Sequence, residues 1–201
     1  MPDAVTNSGN QFVGILLAAG KGSRFDPTGA KNKLLQPLPS GDIVVRAAAT
    51  NLRAAVPTVV AVVRPGTNEL ASQLRSLGCE VTECPTAGQG MAESLVHALS
   101  VARDAAGWVV ALGDMPYVQP ATITALIGAI EAGADIAVPT IQGQRGNPVA
   151  FSPRHLARLL ELQGDQGARS LLKAFPVVEV PVGDIGIVRD IDAAADLARP
   201  V

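Results

Sequence analysis

Aromatic, cysteine and histidine residues are scarce in this chain, and each scarcity excludes a class of protein. Aromatic side chains make up 3% of the 201 residues, although 48% are hydrophobic, so the core must consist of Ala, Val, Leu and Ile. This composition favours helices packed closely on a Val-rich parallel sheet. The chain has two cysteines, Cys79 and Cys84, and two histidines, His97 and His155. These four residues do not have the spacing of a structural zinc site. We therefore expect reduced cysteines and a cytoplasmic protein.

A strong charge of one sign and a long apolar run are also missing. The net charge of -2 argues against non-specific binding to nucleic acid, although local cations can still bind phosphate. No apolar run approaches the roughly 20 residues that span a bilayer, so no membrane contact is expected. Residues Met1 to Gln11 have neither the basic nor the apolar part of a signal peptide. We expect them to form a disordered or frayed tail before a single domain of residues 12–201.

Strand and helix patterns alternate over the first two thirds of the chain. Strands are predicted at Phe12–Ala18, Pro57–Val63, Cys79–Val81, Gly107–Leu112 and Asp135–Val138. Helices are predicted at Ile43–Ala55, Asn68–Leu77, Gly90–Arg103 and Ala121–Ala132. The alternation indicates right-handed βαβ units and a parallel sheet, which binds ligands beyond the carboxyl ends of its strands.

The pattern becomes looser after Val138. The segment Asn147–Phe151 predicts a strand, and Pro148 places that strand at an edge of the sheet. Two short helices, two closing strands and a terminal helix are predicted at Pro153–Leu162, Ala168–Phe175, Val177–Val180, Ile185–Ile191 and Asp192–Ala198.

The loop after the first predicted strand, Gly20 to Phe25, is the most informative segment. Its glycines let backbone N–H groups approach an anion, and Lys21 and Arg24 add positive charge. The P-loop string Gly-x-x-x-x-Gly-Lys-Ser/Thr occurs nowhere in the chain, and Phe25 replaces the last glycine of the dinucleotide fingerprint. An arginine in this turn favours a free triphosphate. The alternative is a Gly-rich turn with two solvated cations.

A carboxylate follows the fourth predicted strand. Asp114 comes just after Gly107–Leu112, so a parallel sheet places it at the same edge as the Gly20–Arg24 loop. A cationic loop beside a carboxylate suits a magnesium–nucleotide site. The alternative is that Asp114 only caps the turn before Pro116.

Together these motifs resemble the MobA-like nucleotidyltransferases, and among them the molybdenum cofactor cytidylyltransferases most. In chain order the matching segments are Leu17–Phe25, Lys33–Leu35, Gly90–Leu95, Gly113–Pro116, Arg145–Val149, Gly164–Arg169 and Asp190–Asp192. The resemblance extends over Ile15 to Leu197. The alanine pair Ala18-Ala19 is similar to the cytidylyltransferase branch, whereas guanylyltransferases usually have glycines there.

The resemblance implies an α/β, Rossmann-like nucleotidyltransferase fold, with three αβα layers and a mostly parallel sheet. It also implies a role in molybdenum cofactor biosynthesis, namely transfer of CMP from CTP to the terminal phosphate of molybdenum-loaded molybdopterin. Pyrophosphate would leave after an in-line attack assisted by Mg²⁺. The product serves enzymes of the xanthine oxidase type, so such a molybdoenzyme is an expected partner.

The resemblance implies roles for individual residues as well. Catalysis falls to Arg24, Lys33 and Asp114, and the metal ligands are Asp114 and Asp192. The implied nucleotide contacts are Leu17, Ala18, Ala19, Gly20, Lys21, Gly22, Ser23, Arg24, Lys33, Gly88, Gly90, Ser94, Gly113 and Asp114. The implied acceptor contacts are Asn147, Asp165 and Arg169. An acceptor phosphate is already anionic, so no Ser, Cys or His base is required.

Two assignments and the substrate stay open. Lys31 competes with Lys33, and Asp190 competes with Asp192. The family often has His at the position of Asn147, and its closing motif commonly continues Asp-Thr-Pro where this chain has two alanines after the aspartate. The alternatives are a guanylyl- or sugar-phosphate nucleotidyltransferase of the same fold, or a non-catalytic nucleotide- or cofactor-binding chaperone for a molybdoenzyme.

Overall fold

A computed structural model of the chain describes residues 11–164 and 167–198. In these residues an eight-stranded sheet has the spatial order β3-β2-β1-β4-β7-β5-β6, and β8 also pairs with β5. The strands are β1 Phe12–Leu17, β2 Thr58–Val63, β3 Glu80–Glu83, β4 Gly107–Leu112, β5 Ile136–Ile141, β6 Gln144–Arg145, β7 Val149–Phe151 and β8 Val178–Pro181. The helices are α1 Val44–Ala55, α2 Asn68–Ser76, α3 Met91–Val101, α4 Pro120–Glu131, α5 Leu156–Leu160 and α6 Arg169–Ala174.

The sheet is parallel in its first half and mixed in its second half. Strands β1 to β4 pair in parallel, whereas β7 runs antiparallel between β4 and β5. The predicted edge position of the strand after Pro148 is therefore wrong. Pairing begins at Val149, so the proline, which follows a cis peptide bond, lies before the ladder and interrupts no hydrogen bond of it.

Helices cover both faces of the sheet and produce the expected three αβα layers. On one face Leu16 of β1 packs with α1, α2 and α4. Its neighbour Ile15 points to the other face and packs with α3, α5 and α6. This alternation follows from the two-residue period of a strand. Most core side chains are Ala, Val, Leu and Ile, as the composition predicts, and the carboxyl ends of the central strands are left free for a ligand.

The closing segment differs from its prediction. The strand predicted at Ile185–Ile191 is wrong, since Ile185–Val188 forms a 3-10 helix. Asp184 accepts a hydrogen bond from the Gly186 N–H at 2.9 Å, and a Cβ at Gly186 would overlap the Tyr117 carbonyl. The chain thus turns against the start of α4 instead of extending. Of the predicted terminal helix only Ala194–Ala198 is helical, as a 3-10 turn.

Two predictions concern the ends and the membrane. The predicted tail lies outside the described residues except for Gln11, whose carbonyl accepts a hydrogen bond from the Ala106 N–H at 3.0 Å. None of the described helices has the length and apolar character needed to cross a bilayer.

Candidate active site

A cleft of about 620 Å³ opens beyond the carboxyl ends of β1 and β4. Its volume lies in the range of ligand pockets, about 300–1,000 Å³. One wall is the loop after β1 together with the segment that enters α3. The opposite wall combines β6, the residues before β7 and the closing segment. The start of α6 lies beside the α3 entry, where a Cβ at Gly167 would come within 3.1 Å of Met91 Sδ. The lining residues used below are Leu17, Ala19, Gly20, Lys21, Gly22, Ser23, Arg24, Lys33, Gly88, Gly90, Met91, Ser94, Asp114, Gln144, Arg145, Gly146, Asn147, Arg169, Ile187, Asp190 and Asp192.

Backbone hydrogen bonds fix the start of the loop after β1. The Gly113 N–H donates to the Leu17 carbonyl and the Ala18 N–H donates to the Val62 carbonyl, each at 2.9 Å. Gly22 has a φ of 65°, a backbone conformation that favours glycine, and its carbonyl accepts from the Phe25 N–H at 2.9 Å. The loop that carries Lys21 and Arg24 therefore begins at a rigid point of the sheet.

Lys33 is the centre of the site's ion pairs. Its side chain is only 9% exposed, and its Nζ donates to Asp114 Oδ2 at 2.7 Å and to Asp192 Oδ1 at 3.1 Å. Arg24 pairs with the other oxygen of Asp192 at 2.7 Å. Burial by itself would lower the pKa of Lys33, but the two carboxylates outweigh it and hold this pKa above the usual value. The amine is thus a fixed positive charge in the cleft.

The negative side of this network contains a third carboxylate. Asp190 lines the cleft, and burial, with the nearby charges of Asp192 and Asp114, raises its pKa. The backbone joins the same elements, because the Ile191 N–H donates to the Asp114 carbonyl at 2.8 Å. Cations and carboxylates from three distant parts of the chain therefore meet in one place.

The sequence of this chain matches the model of a known family over most of its length. The match to the MobA-like NTP transferase domain covers residues 14–180. The chain belongs to the MobA-like NTP transferase family. As a member of this family it is a nucleotidyltransferase. A comparison with curated proteins found no match.

Several solved structures are similar to this MobA-like NTP transferase in fold. Rv0371c from Mycobacterium tuberculosis H37Rv is 28% identical with a TM-score of 0.79, over 94% of this chain and 96% of that one. Rv0371c in complex with manganese aligns with a TM-score of 0.74 at 28% identity, over 92% and 95% of the two chains. Molybdopterin-guanine dinucleotide biosynthesis protein A from Archaeoglobus fulgidus, at 23% identity and a TM-score of 0.65 over 92% and 94%, shows likeness of fold alone.

Most residues assigned by resemblance to the MobA-like family line the cleft. Those that do so are Leu17, Ala19, Gly20, Lys21, Gly22, Ser23, Arg24, Lys33, Gly88, Gly90, Ser94, Asp114, Asn147, Arg169 and Asp192. Ala18 and Gly113 lie beneath it, where a Cβ on the glycine would come within 3.3 Å of the alanine Cβ. Asp165 lies outside the described residues.

The structure separates the two lysines that the sequence left as alternatives. Lys33 lies in the cleft, whereas Lys31 lines a neighbouring cleft. Asp190 and Asp192 both line the main cleft. The ion pairs with Lys33 and Arg24 are formed by Asp192.

Sequence reasoning missed part of the wall opposite the phosphate loop. Gln144 and Ile187 line it and were not predicted as site residues. The Asn147 N–H donates to the Ile187 carbonyl at 2.9 Å, and a Cβ at Gly146 would overlap that carbonyl. Gly146, two residues before Pro148, was the available signal, but nothing in the sequence connects it to residue 187.

The carboxylates of this MobA-like NTP transferase fit Mg²⁺ only together with a nucleotide. Among residues 11–164 and 167–198, no group of three or more His, Cys, Asp and Glu side chains is close enough to hold a metal ion. Asp114 and Asp192 nevertheless approach one point, the Nζ of Lys33. Mg²⁺ is commonly bound by one or two carboxylates plus substrate phosphates and water, and this donor set meets that requirement. A bound Mg²⁺ would neutralise charge on phosphate oxygens.

Proposed function

We propose that this chain transfers CMP from CTP to the terminal phosphate of a molybdopterin-type acceptor and releases pyrophosphate. The observation that carries the proposal is the Lys33 network. A buried ammonium group held by Asp114 and Asp192, with Arg24 on the same aspartate, supplies positive charge where a phosphoryl group would react. Electrostatic stabilisation of this kind commonly contributes more to phosphoryl-transfer catalysis than any other single effect.

The lining of the cleft supports transfer between phosphates. The described residues that line it include no His and no Cys, and Asp114 and Asp192 are paired with Lys33 and Arg24, so this lining suits an acceptor that needs no base. An acceptor phosphate is already ionised at neutral pH and needs no such base. Binding both substrates in line, with Lys33 next to the reacting phosphate, would provide the rate enhancement.

The two walls suit the two substrates. Lys21 and Arg24, with the backbone of the loop, would bind the β- and γ-phosphates. The start of that loop, together with Gly88, Gly90 and Ser94, would bind the base and ribose. The acceptor would lie between the opposite wall, at Asn147, and Arg169 at the start of α6, both of which line the cleft. The structural likeness to manganese-bound Rv0371c supports a divalent metal, which we propose to be Mg²⁺ on Asp114 and Asp192.

The choice of CTP depends on a small feature. Ala19 lines the cleft and Ala18 packs beneath it. The methyl group of Ala19 takes up space in the cleft that a glycine would leave open, and this favours a pyrimidine over a larger purine. A cytoplasmic location, a single domain and a partner enzyme of the xanthine oxidase type stay predictions.

Thermal stabilisation by CTP, GTP, ATP and UTP, each with and without Mg²⁺, tests the proposal. A ligand at 100 times its Kd adds about 2.7 kcal/mol, which a melting scan resolves. We expect a shift that is selective for CTP and depends on Mg²⁺. A preference for GTP would place the protein with guanylyltransferases, and no shift with any nucleotide would favour a non-catalytic chaperone.

A further inference from the structure

A second cleft, of about 760 Å³, lies on the other side of the phosphate loop. We call it the side cleft. It is bounded by the loop of residues 21–36 and by the turn that leads from β2 into α2. Lys21 and Ser23 line both clefts, so the two spaces meet at the phosphate loop.

Cationic residues outnumber acidic ones in the lining of the side cleft. Lys21, Lys31 and Arg64 line it, and within residues 11–164 and 167–198 none of them forms an ion pair. Its acidic lining residues are Asp26 and Glu69. Three positive charges therefore face two negative ones.

One of the two acidic residues, Asp26, accepts hydrogen bonds from its own loop. Asp26 accepts hydrogen bonds from the Thr28 hydroxyl at 2.6 Å and from the Lys31 N–H at 2.7 Å. These bonds lower the pKa of the Asp26 carboxyl, so its negative charge stays and is stabilised within its own loop. The loop that presents Lys31 is thus shaped by its own aspartate.

Hydrogen bonds also order the other boundaries of the side cleft. The Thr67 hydroxyl donates to the Arg64 carbonyl at 2.7 Å, which closes the turn after β2. The Asn32 side chain accepts from the Leu34 N–H at 3.0 Å. Walls that are already ordered bind a ligand without the cost of ordering them.

Strand pairing places Arg64 beside the phosphate loop. Leu17, the last residue of β1, is opposite Val62 of β2, and the Ala18 N–H donates to the Val62 carbonyl. Arg64 is the first residue after β2, and neighbouring strands lie about 4.8 Å apart. An anion that leaves the phosphate loop on this side therefore meets Arg64 without crossing the main cleft.

We propose that the side cleft is an anion site in which Arg64 and Lys31 bind the pyrophosphate released from the main cleft. This inference rests on the function proposed above. There the acceptor phosphate oxygen bonds to the α-phosphorus of CTP, and the bond from that phosphorus to the β-phosphate oxygen breaks with its electron pair leaving on pyrophosphate. Pyrophosphate is a multiply charged anion whose oxygens match paired Arg and Lys donors. Lys21 contacts it in both positions.

Calorimetric titration with inorganic pyrophosphate and, separately, with CMP tests the site. Arg64→Gln is expected to weaken pyrophosphate binding about five- to tenfold, because one charge-assisted contact is lost, and to leave CMP binding unchanged. Arg64→Lys should recover part of the loss. Lys31→Gln, on the loop, should weaken pyrophosphate binding in the same direction and provides a second test if the Arg64 variants do not fold.

The matched control is Arg75→Gln, which removes the same charge from an exposed position of α2 outside both clefts. Unchanged pyrophosphate affinity in Arg64→Gln and Lys31→Gln, or an equal loss in Arg75→Gln, overturns the site. Melting scans with CTP and Mg²⁺ separate this result from the proposed function. Weaker pyrophosphate binding in Arg64→Gln without CTP stabilisation of the unmodified protein keeps the anion site and overturns only nucleotidyl transfer.

Discussion

The two walls of the main cleft are built in different ways. We call the wall that contains the loop after β1 the phosphate wall and the opposite wall the acceptor wall. The phosphate-binding part of the first is one continuous loop that starts at the end of β1, where the Gly113 and Ala18 N–H groups form backbone hydrogen bonds. The acceptor wall joins residues 144–147 to Ile187 and Asp190, which are far apart in the chain. A wall made of one loop depends on local sequence, whereas an assembled wall depends on contacts made elsewhere.

The contacts that hold the acceptor wall are buried. Asp184, which is 2% exposed, accepts hydrogen bonds from the Gln119 N–H at 2.8 Å and the Thr122 hydroxyl at 2.7 Å. It thereby fixes the closing segment on the start of α4. We infer that substitutions in the phosphate wall change chemistry directly, while substitutions behind the acceptor wall act through position.

The largest effect is expected where both walls meet, at Asp114. Asp114→Ala should lower transfer roughly a thousandfold, about 4 kcal/mol of transition-state stabilisation, because it removes the metal carboxylate and half of the Lys33 pairing. The fold should be kept, since the side chain lies at the rim of the sheet and is 22% exposed. The measurement is CTP-dependent pyrophosphate release, with a melting curve as control. Retained turnover at saturating Mg²⁺ would contradict the metal assignment.

Variants of Lys33 and Lys31 test whether the reaction takes place in the main cleft and not in the side cleft. Lys33→Ala should lower kcat about a hundredfold and change nucleotide affinity less, because the charge acts on the reacting phosphate. Lys31→Ala should leave kcat nearly unchanged, since Lys31 lines only the side cleft. Steady-state kinetics of the two variants decide this. If only Lys31→Ala lowered kcat, the family assignment in this loop would be displaced by two residues.

Asp184→Asn tests whether the acceptor wall acts through position. An amide cannot accept all the hydrogen bonds that the carboxylate accepts, so the free energy of unfolding should fall by about 1–3 kcal/mol. The KM for the acceptor should rise about tenfold through misplacement of the wall, while CTP-induced stabilisation stays unchanged. Glu131→Gln, an exposed change at the far end of the helix whose first turn Asp184 contacts, serves as control. Equal effects on CTP and acceptor would remove the distinction between the walls.

The smallest effect is expected in the phosphate wall itself, at the base. Ala19→Gly should reduce the preference for CTP over GTP about tenfold or less, because one methyl group at the rim of an open cleft should contribute near the lower end of the roughly 1–3 kcal/mol found in closed pockets. Competition of the two nucleotides in melting scans measures the ratio. An unchanged ratio would show that the base is selected by the other loop, near Gly88.

The sequence predicts most strands and helices well, including α5, α6 and β8, but it misplaces β7 in the sheet and predicts the closing segment poorly. Strand β4 has the predicted bounds Gly107–Leu112, and β1 and β2 differ from prediction by one residue, because buried parallel strands are unbroken apolar runs. The segment Ile185–Ile191 contains three isoleucines and a valine but is not a strand. Its conformation depends on Asp184 and on close packing of Gly186 against Tyr117, which no local pattern reveals.

By itself the sequence determined the α/β class, the MobA-like family and the residue types of the phosphate loop, because periodicity and short motifs are local properties. Only the tertiary structure decided that Lys33 and not Lys31 pairs with Asp114 and Asp192, and that β7 enters the sheet between β4 and β5. It also decided that residues 144–147 meet Ile187. These facts depend on which distant segments share buried space, and that is settled by packing and by long-range hydrogen bonds.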